Sequence, residues 1–208
     1  MYHDVLEPSR KTGAEAITES GGRTVGTLLE FWQWAYSDLI SNTERGALAE
    51  FLVACALGVQ SGVRVSWDRY DLISPEGITV EVKSSGYLQS WFQEKPSSIS
   101  FGIQETYGWD KNTNQYDSEK KRQADVYVFC VYKHTEPCSS NPLDLGQWDF
   151  YVLATKVLDQ QLGKQERISL NALQEHGAVK CSYEELHRQI VVQHRLEAGY
   201  LPEETQRS

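Results

Sequence analysis

The chain has 208 residues and 40% hydrophobic content, which suits one globular domain large enough to bury most of its apolar surface. No stretch approaches the ~18 continuous apolar residues of a membrane span, and the first residues lack the apolar core of a signal peptide, so we expect a cytoplasmic protein. The formal net charge of −9 argues against a protein that binds nucleic acid over its whole surface, because an acidic surface repels phosphate.

Composition divides the chain into two regions. Residues 1–23 are polar and contain glycine, which predicts a flexible N-terminal arm, and residues 24–208 are predicted to form a single domain. Near the start of this domain, Leu28–Ile40 is rich in Trp and Tyr. Its spacing predicts a helix whose large apolar face lies in the core or in a contact between copies of the chain.

Glu50 is the only charged residue within Ala47–Val59. The Ala-rich composition of this segment predicts a buried helix. The residues that can cap it are Asn42 or Thr43 at its start and Gly58 or Gly62 at its end.

The charge of Glu50 requires an explanation. An ionised carboxylate inside an apolar helix face costs several kcal/mol unless another group pairs with it. Glu50 is therefore expected to face a polar site. The alternative is that it lies on an exposed stripe of the helix, or that it pairs with Arg45 or Arg64.

The segment Asp71–Lys83 is predicted to form a β-hairpin. Pro75, Glu76 and Gly77 are a turn signature between two short β-prone runs. If these three residues are the whole loop, Asp71 lies directly opposite Glu81. A two-residue loop would instead place Asp71 opposite the residue before Glu81.

Strand alternation places Glu81 and Lys83 on one face of the hairpin. With Asp71 opposite Glu81, two carboxylates lie side by side, and their repulsion raises one pKa unless a cation neutralises them. One interpretation is a site for a divalent cation, in which Asp68 is a competing ligand ranked below Asp71. The other interpretation is an exposed hairpin face with ordinary cross-strand ion pairs.

The order of these acidic residues resembles the motif of the PD-(D/E)XK nuclease superfamily. It consists of an acid on a helix (Glu50), an acid on a hairpin strand (Asp71) and the run Glu81-Val82-Lys83 on the next strand. The apolar run Ala124–Tyr132 matches the strand that follows this motif in the superfamily. Tyr70, rather than proline, precedes the hairpin Asp. The resemblance extends over residues 42–133. It implies the restriction-endonuclease-like fold, an α/β fold with a central mixed β-sheet flanked by helices.

The same resemblance implies a metal-dependent endodeoxyribonuclease that hydrolyses phosphodiester bonds, with DNA as the expected substrate and RNA left open. Asp71, Glu81 and the carbonyl of Val82 would bind Mg²⁺ or Mn²⁺, since hard oxygen ligands suit these ions. Lys83 would position water and stabilise charge. Glu50 would bind a second metal ion or hold a metal-bound water.

Two further possibilities follow from the resemblance. The chain is alternatively a catalytically inactive restriction-like fold that serves as a nucleic-acid-binding or protein-binding component, and its acidic composition favours this alternative. A homodimer is also consistent with a nuclease, because two-fold related sites can make two cuts on a duplex.

Polar and basic residues near these motifs are candidates for contact with nucleic acid. Those that follow the Glu81-Val82-Lys83 run are Ser84, Ser85 and Gln89. Those before the apolar strand are Lys111, Lys120, Lys121 and Arg122. The alternative for the basic group is an ordinary solvated loop.

Aromatic residues accompany these candidates. Trp91, Phe92, Tyr107 and Trp109 would either stack on bases or pack a lid against the sheet. The hydrophilic segment 108–122 is predicted to be a long substrate-binding loop, and Trp148–Val157 is predicted to be a further strand.

Overall fold

The computed structural model describes residues 8–65, 68–110 and 113–197, and its fold is α/β, as the sequence predicts. The strands are β1 (Ala16–Thr18), β2 (Thr24–Thr27), β3 (Leu72–Ile73), β4 (Thr79–Gly86), β5 (Ser100–Gly102), β6 (Thr106–Asp110), β7 (Gln115–Lys121), β8 (Val126–Tyr132), β9 (Trp148–Ala154), β10 (Arg167–Ser169) and β11 (Val179–Cys181). The helices are α1 (Leu28–Tyr36), α2 (Asn42–Leu57), α3 (Thr155–Leu162), α4 (Leu170–Glu175) and α5 (Leu186–Glu197).

A mixed five-stranded sheet with the order β11-β9-β8-β4-β3 forms the centre of the molecule. Strands β4 and β8 are parallel, and the other neighbours in this sheet are antiparallel. Every residue of β8 is buried, because both of its faces are covered. The prediction of a buried central strand in this part of the chain is confirmed.

The two faces of the sheet bury separate clusters of apolar side chains. On one face, α2 packs against β4, and α5 packs against β9 and β8, so that Val53, Ile190 and Val80 belong to one apolar cluster. On the other face, residues of β5, β10, α3 and α4 pack against Phe129. The side chains of Glu81 and Lys83 point to this second face because they alternate with Val80 and Val82.

The helix that carries Glu50 extends from Asn42 to Leu57. Its N-cap is Ser41, whose hydroxyl accepts from the Glu44 N–H. The predicted caps Asn42 and Thr43 are therefore wrong, and the cap lies one or two residues earlier. Its C-cap is Gly58 at φ 72°, as predicted. Among the described residues, no helix is both long and apolar enough to cross a membrane.

The first helix differs from its prediction. Helix α1 ends at Tyr36 rather than at Ile40, and none of its residues is buried, so its aromatic face does not enter the core. Trp34 is 86% exposed. A capping box between Thr27 and Glu30 fixes the start of the helix instead.

Two other segments also differ from their predictions. Strand β9 ends at Ala154, and the last three residues of the predicted strand begin α3. The predicted loop at residues 108–122 is largely the antiparallel hairpin β6–β7, because alternating side chains allow the two segments to pair. Residues 1–7 of the predicted arm lie outside the described residues, and the division into arm and domain stays a prediction.

Two glycines of α2 give a test of this helix. A Cβ at either Gly46 or Gly58 meets no atom within 4 Å, but only Gly58 has a positive φ. We expect Gly58→Ala to lower the free energy of unfolding by about 1 kcal/mol through backbone strain. We expect Gly46→Ala in the same helix to raise it by about 0.5–1 kcal/mol through helix propensity. Urea denaturation measures both, and two effects of the same sign would contradict the described C-cap.

Candidate active site

The hairpin β3–β4 has a three-residue loop, which is one of the two alternatives that the sequence leaves open. Leu72 pairs with Val80 and Ile73 with Thr79, and the N–H of Ser74 donates to the carbonyl of Ile78 at 2.9 Å. Gly77 closes the loop at φ 84°, a conformation that glycine adopts without strain. This register places Asp71 opposite Glu81 on the neighbouring strand. It excludes the two-residue loop, which would place Asp71 opposite Val80.

Two hydrogen bonds hold Asp71 at the start of this hairpin. Its N–H donates to the carbonyl of Val80 at 3.1 Å, and its Oδ2 accepts from the N–H of Val82 at 2.7 Å. The backbone atoms on either side of Glu81 therefore fix the Asp71 carboxyl group beside the edge of the sheet. This placement is rigid because both partners belong to β4.

The environment of Asp71 is unfavourable for a negative charge. Burial, followed by the charge of Glu81, raises the pKa of Asp71 from 3.8 to about 7. The charge of Glu50 adds to the increase, while the hydrogen bond from Val82 and the charge of Lys83 oppose it. Loss of solvent around this side chain and the nearby carboxylates therefore both disfavour its charged form.

Glu81 and Lys83 lie on the same face of β4, as predicted, and they form an ion pair. Lys83 Nζ donates to Glu81 Oε1 at 2.5 Å, and the Glu81 side chain is only 19% exposed. Tyr127 of β8 pairs with Glu81 in the parallel register, so its ring flanks the ion pair. Burial and then the charge of Glu81 raise the pKa of the Tyr127 phenol, which stays protonated.

Glu50 is partly buried and paired, with 14% of its side chain exposed. Arg64 Nη2 donates to Glu50 Oε1 at 2.7 Å, and Arg64 Nε donates to the second carboxylate oxygen. The alternative of pairing with Arg64 is thus realised. Arg45, the other candidate, is buried elsewhere and donates to the carbonyl of Ile40 at 2.7 Å. The charge of Glu50 still contributes to the raised pKa of Asp71, so the two side chains are near each other.

The carboxylates do not form a preassembled metal cluster. In residues 8–65, 68–110 and 113–197, no three His, Cys, Asp or Glu side chains are gathered in positions that could hold a metal ion. Glu50 is directed to Arg64 and Glu81 to Lys83. Glu50, Asp71 and Glu81 are close enough for the charges of Glu50 and Glu81 to raise the pKa of Asp71. In the described residues, however, their carboxylates are not arranged to bind one metal ion together.

The donor chemistry nevertheless fits a hard divalent cation. The side chains offer carboxylate oxygens, which Mg²⁺ and Mn²⁺ prefer to nitrogen or sulfur. Burial first, and then the charges of Glu81 and Glu50, raise the pKa of Asp71 in spite of the hydrogen bond from Val82 and the charge of Lys83. A cation would relieve the repulsion between these carboxylates by competing for Glu81 with the ammonium group.

Two adjoining clefts open beside Asp71. Glu50, Arg64, Asp68 and Asp71 line a small cleft of about 160 Å³. Asp68 and Asp71 also line a larger cleft of about 610 Å³, together with Trp109. Asp68, the lower-ranked candidate ligand, therefore lies in the same solvent-accessible space as Asp71.

Comparison with known protein families agrees with a nuclease. The model of the family described as Bacteriophage T4 endonuclease IV matches residues 15–171, which include α2, the hairpin β3–β4 and the central strand β8. The chain belongs to the bacteriophage T4 endonuclease IV family. No curated protein matches the chain. The match covers most of the chain and includes the helix of Glu50 and the hairpin of Asp71, Glu81 and Lys83, whereas strand β11 of the central sheet lies outside the matched residues.

In this member of the T4 endonuclease IV family, Arg122 does not lie on a phosphate-binding surface, and its prediction as a nucleic-acid contact is wrong. Its side chain has no exposed area. Its guanidinium donates to the carbonyl of Ile103 at 2.7 Å, to the carbonyl of Gly163 at 2.8 Å and to Asp159 Oδ1 at 2.6 Å. Arg122 therefore joins loops at the end of the sheet.

The other predicted nucleic-acid contacts have different environments. Ser85 is buried, and the hydroxyl oxygen of Ser84 is buried without a hydrogen-bond partner among the described residues. Gln89 Nε2 donates to the carbonyl of Gly86 at 3.1 Å. Lys120 and Lys121 are exposed on β7, and Lys111 lies outside the described residues. Of these candidates, Lys120 and Lys121 are the ones that the described structure shows as exposed, and their role in contact with nucleic acid stays a prediction.

The sequence interpretation missed Arg69. Its Nε donates to the carbonyl of Trp109 at 2.9 Å, and its Nη2 donates to Asp117 Oδ1 at 3.0 Å. Arg69 thereby joins the segment of Asp71 to the hairpin β6–β7. No local pattern marks this residue, because its partners are separated from it by about 40 positions.

The raised pKa of Asp71 gives a test with a defined sign. In the metal-free folded state its pKa is about 7, against 3.8 as the ordinary value, so the folded state loses stability as the pH rises between these values. The loss is on the order of 4 kcal/mol at most. We expect Asp71→Asn to be more stable than the parent near pH 8, with the difference vanishing near pH 4, in thermal unfolding with chelator present.

Glu76 in the turn of the same hairpin is the matched control. A hydrogen bond from Ser74 and then one from His187 lower the pKa of Glu76. Its contribution to stability is therefore present at neutral pH and lost as the pH falls through the lowered pKa. Glu76→Gln should be less stable than the parent at neutral pH, the opposite of Asp71→Asn. If Asp71→Asn were less stable than the parent at pH 8, the conclusion that the charged form of Asp71 is unfavourable in the folded state would be wrong.

Arg122 and its neighbour Lys121 give a second test. Arg122→Met should lower the free energy of unfolding by about 3 kcal/mol or more, because several buried carbonyls lose their donor. Lys121→Met, at the adjacent exposed position, should change it by less than about 0.5 kcal/mol. Urea denaturation measures both changes. Equal stabilities of the two variants would show that the guanidinium has no structural role.

Proposed function

We propose that this chain is a Mg²⁺- or Mn²⁺-dependent endonuclease of the PD-(D/E)XK type that hydrolyses phosphodiester bonds in DNA. One observation carries the proposal. In a member of an endonuclease family, the hairpin register holds Asp71 beside Glu81, with Lys83 on the same face of the strand. Burial and the neighbouring carboxylates raise the pKa of Asp71, so the group gains from a cation.

The order of the elements supports the PD-(D/E)XK assignment. Helix α2 supplies Glu50, β3 begins directly after Asp71, and β4 supplies Glu81 and Lys83. Strand β8 then pairs with β4 in parallel and is fully buried. This is the order that the sequence motif implies, and the central sheet is mixed, as that fold requires.

In this mechanism, Asp71, Glu81 and the carbonyl of Val82 would hold the divalent cation. The cation, when bound, would supply charge stabilisation at the phosphate and lower the pKa of a coordinated water. The Val82 N–H orients the Asp71 carboxyl group through the hydrogen bond to Oδ2. Lys83, as a fixed ammonium group, would orient the attacking water and stabilise the charge that develops on the phosphate oxygens.

Glu50 has a separate place in the proposed mechanism. Its pairing with Arg64 neutralises it and keeps its carboxylate at the edge of the small cleft beside Asp71. Glu50 would hold a second cation or a water molecule bound to the first. Because Arg64 is 52% exposed, phosphate from the substrate can compete with Glu50 for the guanidinium.

The test is cleavage of DNA by the purified chain with Mg²⁺ or Mn²⁺, and with chelator as the blank. We expect Asp71→Asn, Glu81→Gln and Lys83→Met each to reduce the cleavage rate by about 100-fold or more. Glu76→Gln, an exposed acid on the same hairpin, should cleave at the rate of the parent. Cleavage by Glu81→Gln and Lys83→Met at the parental rate would remove the catalytic assignment.

Calorimetric titration with Mn²⁺ separates the proposed enzyme from a catalytically inactive member of the same fold. The parent chain should bind Mn²⁺, and Asp71→Asn should lose that binding because the first ligand is gone. A chain that binds no Mn²⁺ and cleaves no DNA would be a binding component instead. Glu76→Gln again serves as the control for a change of one surface charge.

A further inference from the structure

The hairpin β6–β7 has one face made of aromatic and cationic side chains. Tyr107 pairs with Lys120 and Trp109 pairs with Tyr116, with a register shift between the two pairs, and in each pair the two side chains are in contact. The Trp109 and Tyr116 rings lie 4.8 Å apart, and Lys120 Nζ lies 5.2 Å from the centre of the Tyr107 ring. Tyr107 is 51% exposed and Tyr116 is 61% exposed. The face is therefore an ordered aromatic surface open to solvent.

The opposite face of this hairpin is attached to the rest of the molecule. Arg69 donates to the carbonyl of Trp109 at 2.9 Å and to Asp117 Oδ1 at 3.0 Å. At Gly108, an added Cβ would lie 2.5 Å from Asp117 and 2.6 Å from Gln123, so this position requires glycine for close packing. These contacts fix which face of the hairpin remains exposed.

The attachment also places the hairpin next to the proposed active site. Arg69 precedes Asp71 by two positions, and Trp109 lines the same cleft of about 610 Å³ as Asp71 and Tyr70. The aromatic face is thus continuous, through Trp109, with the space in which Asp71 lies. A strand of nucleic acid that passes Asp71 would leave the cleft toward Tyr107 and Tyr116.

The charge of this face differs from that of the whole chain. The chain carries a formal net charge of −9, yet Lys120 lies over the exposed Tyr107 ring, and Asp117 is directed to Arg69. A cation therefore accompanies the exposed rings. Aromatic rings beside a lysine suit a nucleobase and its phosphate, since every base has a stacking surface.

We propose that Tyr107, Tyr116 and Lys120 form a subsite that binds a nucleotide flanking the scissile phosphodiester, by stacking on its base and by pairing with its phosphate. This inference rests on the proposed function for the nature of the ligand. The rings hold the strand in the cleft beside Asp71, and Arg69 acts as a positioning residue that keeps the hairpin in place. Stacking tolerates any base, so the subsite contributes affinity rather than sequence preference.

The test measures binding without cleavage. A short fluorescein-labelled DNA strand is titrated with the full chain in chelator, and fluorescence anisotropy reports the dissociation constant. We expect the double variant Tyr107→Ala and Tyr116→Ala to weaken binding by about 10-fold or more, and the corresponding double Phe variant to stay within about 2-fold of the parent, because Phe retains the stacking surface. Lys120→Gln should reduce the slope of log affinity against log salt by about 1.

Matched substitutions outside the hairpin control for general effects. Trp34→Ala removes an exposed aromatic ring on α1, and Lys164→Gln removes an exposed lysine after α3, and both should bind as the parent does. Thermal unfolding checks that each variant is folded, and the Phe variant and Lys120→Gln test the subsite even if the Ala variant unfolds.

The outcomes separate this subsite from the proposed function. Unchanged binding of folded Ala variants, or equal loss in the Phe variants, would overturn the stacking subsite even if the parent cleaves DNA. The expected binding pattern in a chain that does not cleave DNA with Mg²⁺ or Mn²⁺ would overturn the catalytic proposal and leave the subsite in place. A loss of binding in Trp34→Ala as large as in the Ala variant would also overturn the subsite, because the effect would not be specific to the hairpin.

Discussion

The crowding of Asp71 against Glu81 is the constraint on which the site depends. Two carboxylates on paired strands repel each other, and the Val82 N–H prevents Asp71 from turning away by holding its Oδ2. The cost appears as a pKa raised to about 7, with burial as the first cause and Glu81 as the second. A proton on Asp71 relieves this cost, and in the proposed function a bound cation would do so.

The surrounding cations show how the folded chain tolerates this charge. Lys83 pairs with Glu81 on the same strand, and Arg64 pairs with Glu50 from the segment after α2. Each cation pairs with one acid, while the pKa of Asp71 stays raised although the charge of Lys83 opposes the increase. The described residues thus form two ion pairs on either side of the Asp71 carboxyl group.

The second hairpin links this electrostatic centre to a surface. Arg69 connects β6–β7 to the chain immediately before Asp71, and Gly108 lets Asp117 approach closely enough to receive the guanidinium. The consequence is that one face of the hairpin is attached and the other carries exposed Tyr107 and Tyr116. The same contacts that position the hairpin therefore define the cleft beside the acids.

The sequence by itself determined the features that depend on near neighbours. The turn at Pro75-Glu76-Gly77, the shared face of Glu81 and Lys83 and the buried run of β8 follow from turn chemistry and alternation. The three-residue hairpin loop and the helix end at Gly58 were each one of two alternatives, and the α/β fold with its mixed sheet was implied by the resemblance of the motif to a nuclease superfamily.

Only the tertiary structure decided which long side chain reaches which partner. Arg64 rather than Arg45 meets Glu50, Arg122 is buried among carbonyls rather than exposed to phosphate, and Arg69 reaches a hairpin about 40 positions away. The aromatic residues of α1 likewise stay outside the core, although their spacing favoured burial. The physical reason is that the sequence near an arginine or an amphipathic helix allows several possible partners. Which partner it contacts depends on packing between segments that are distant in the chain.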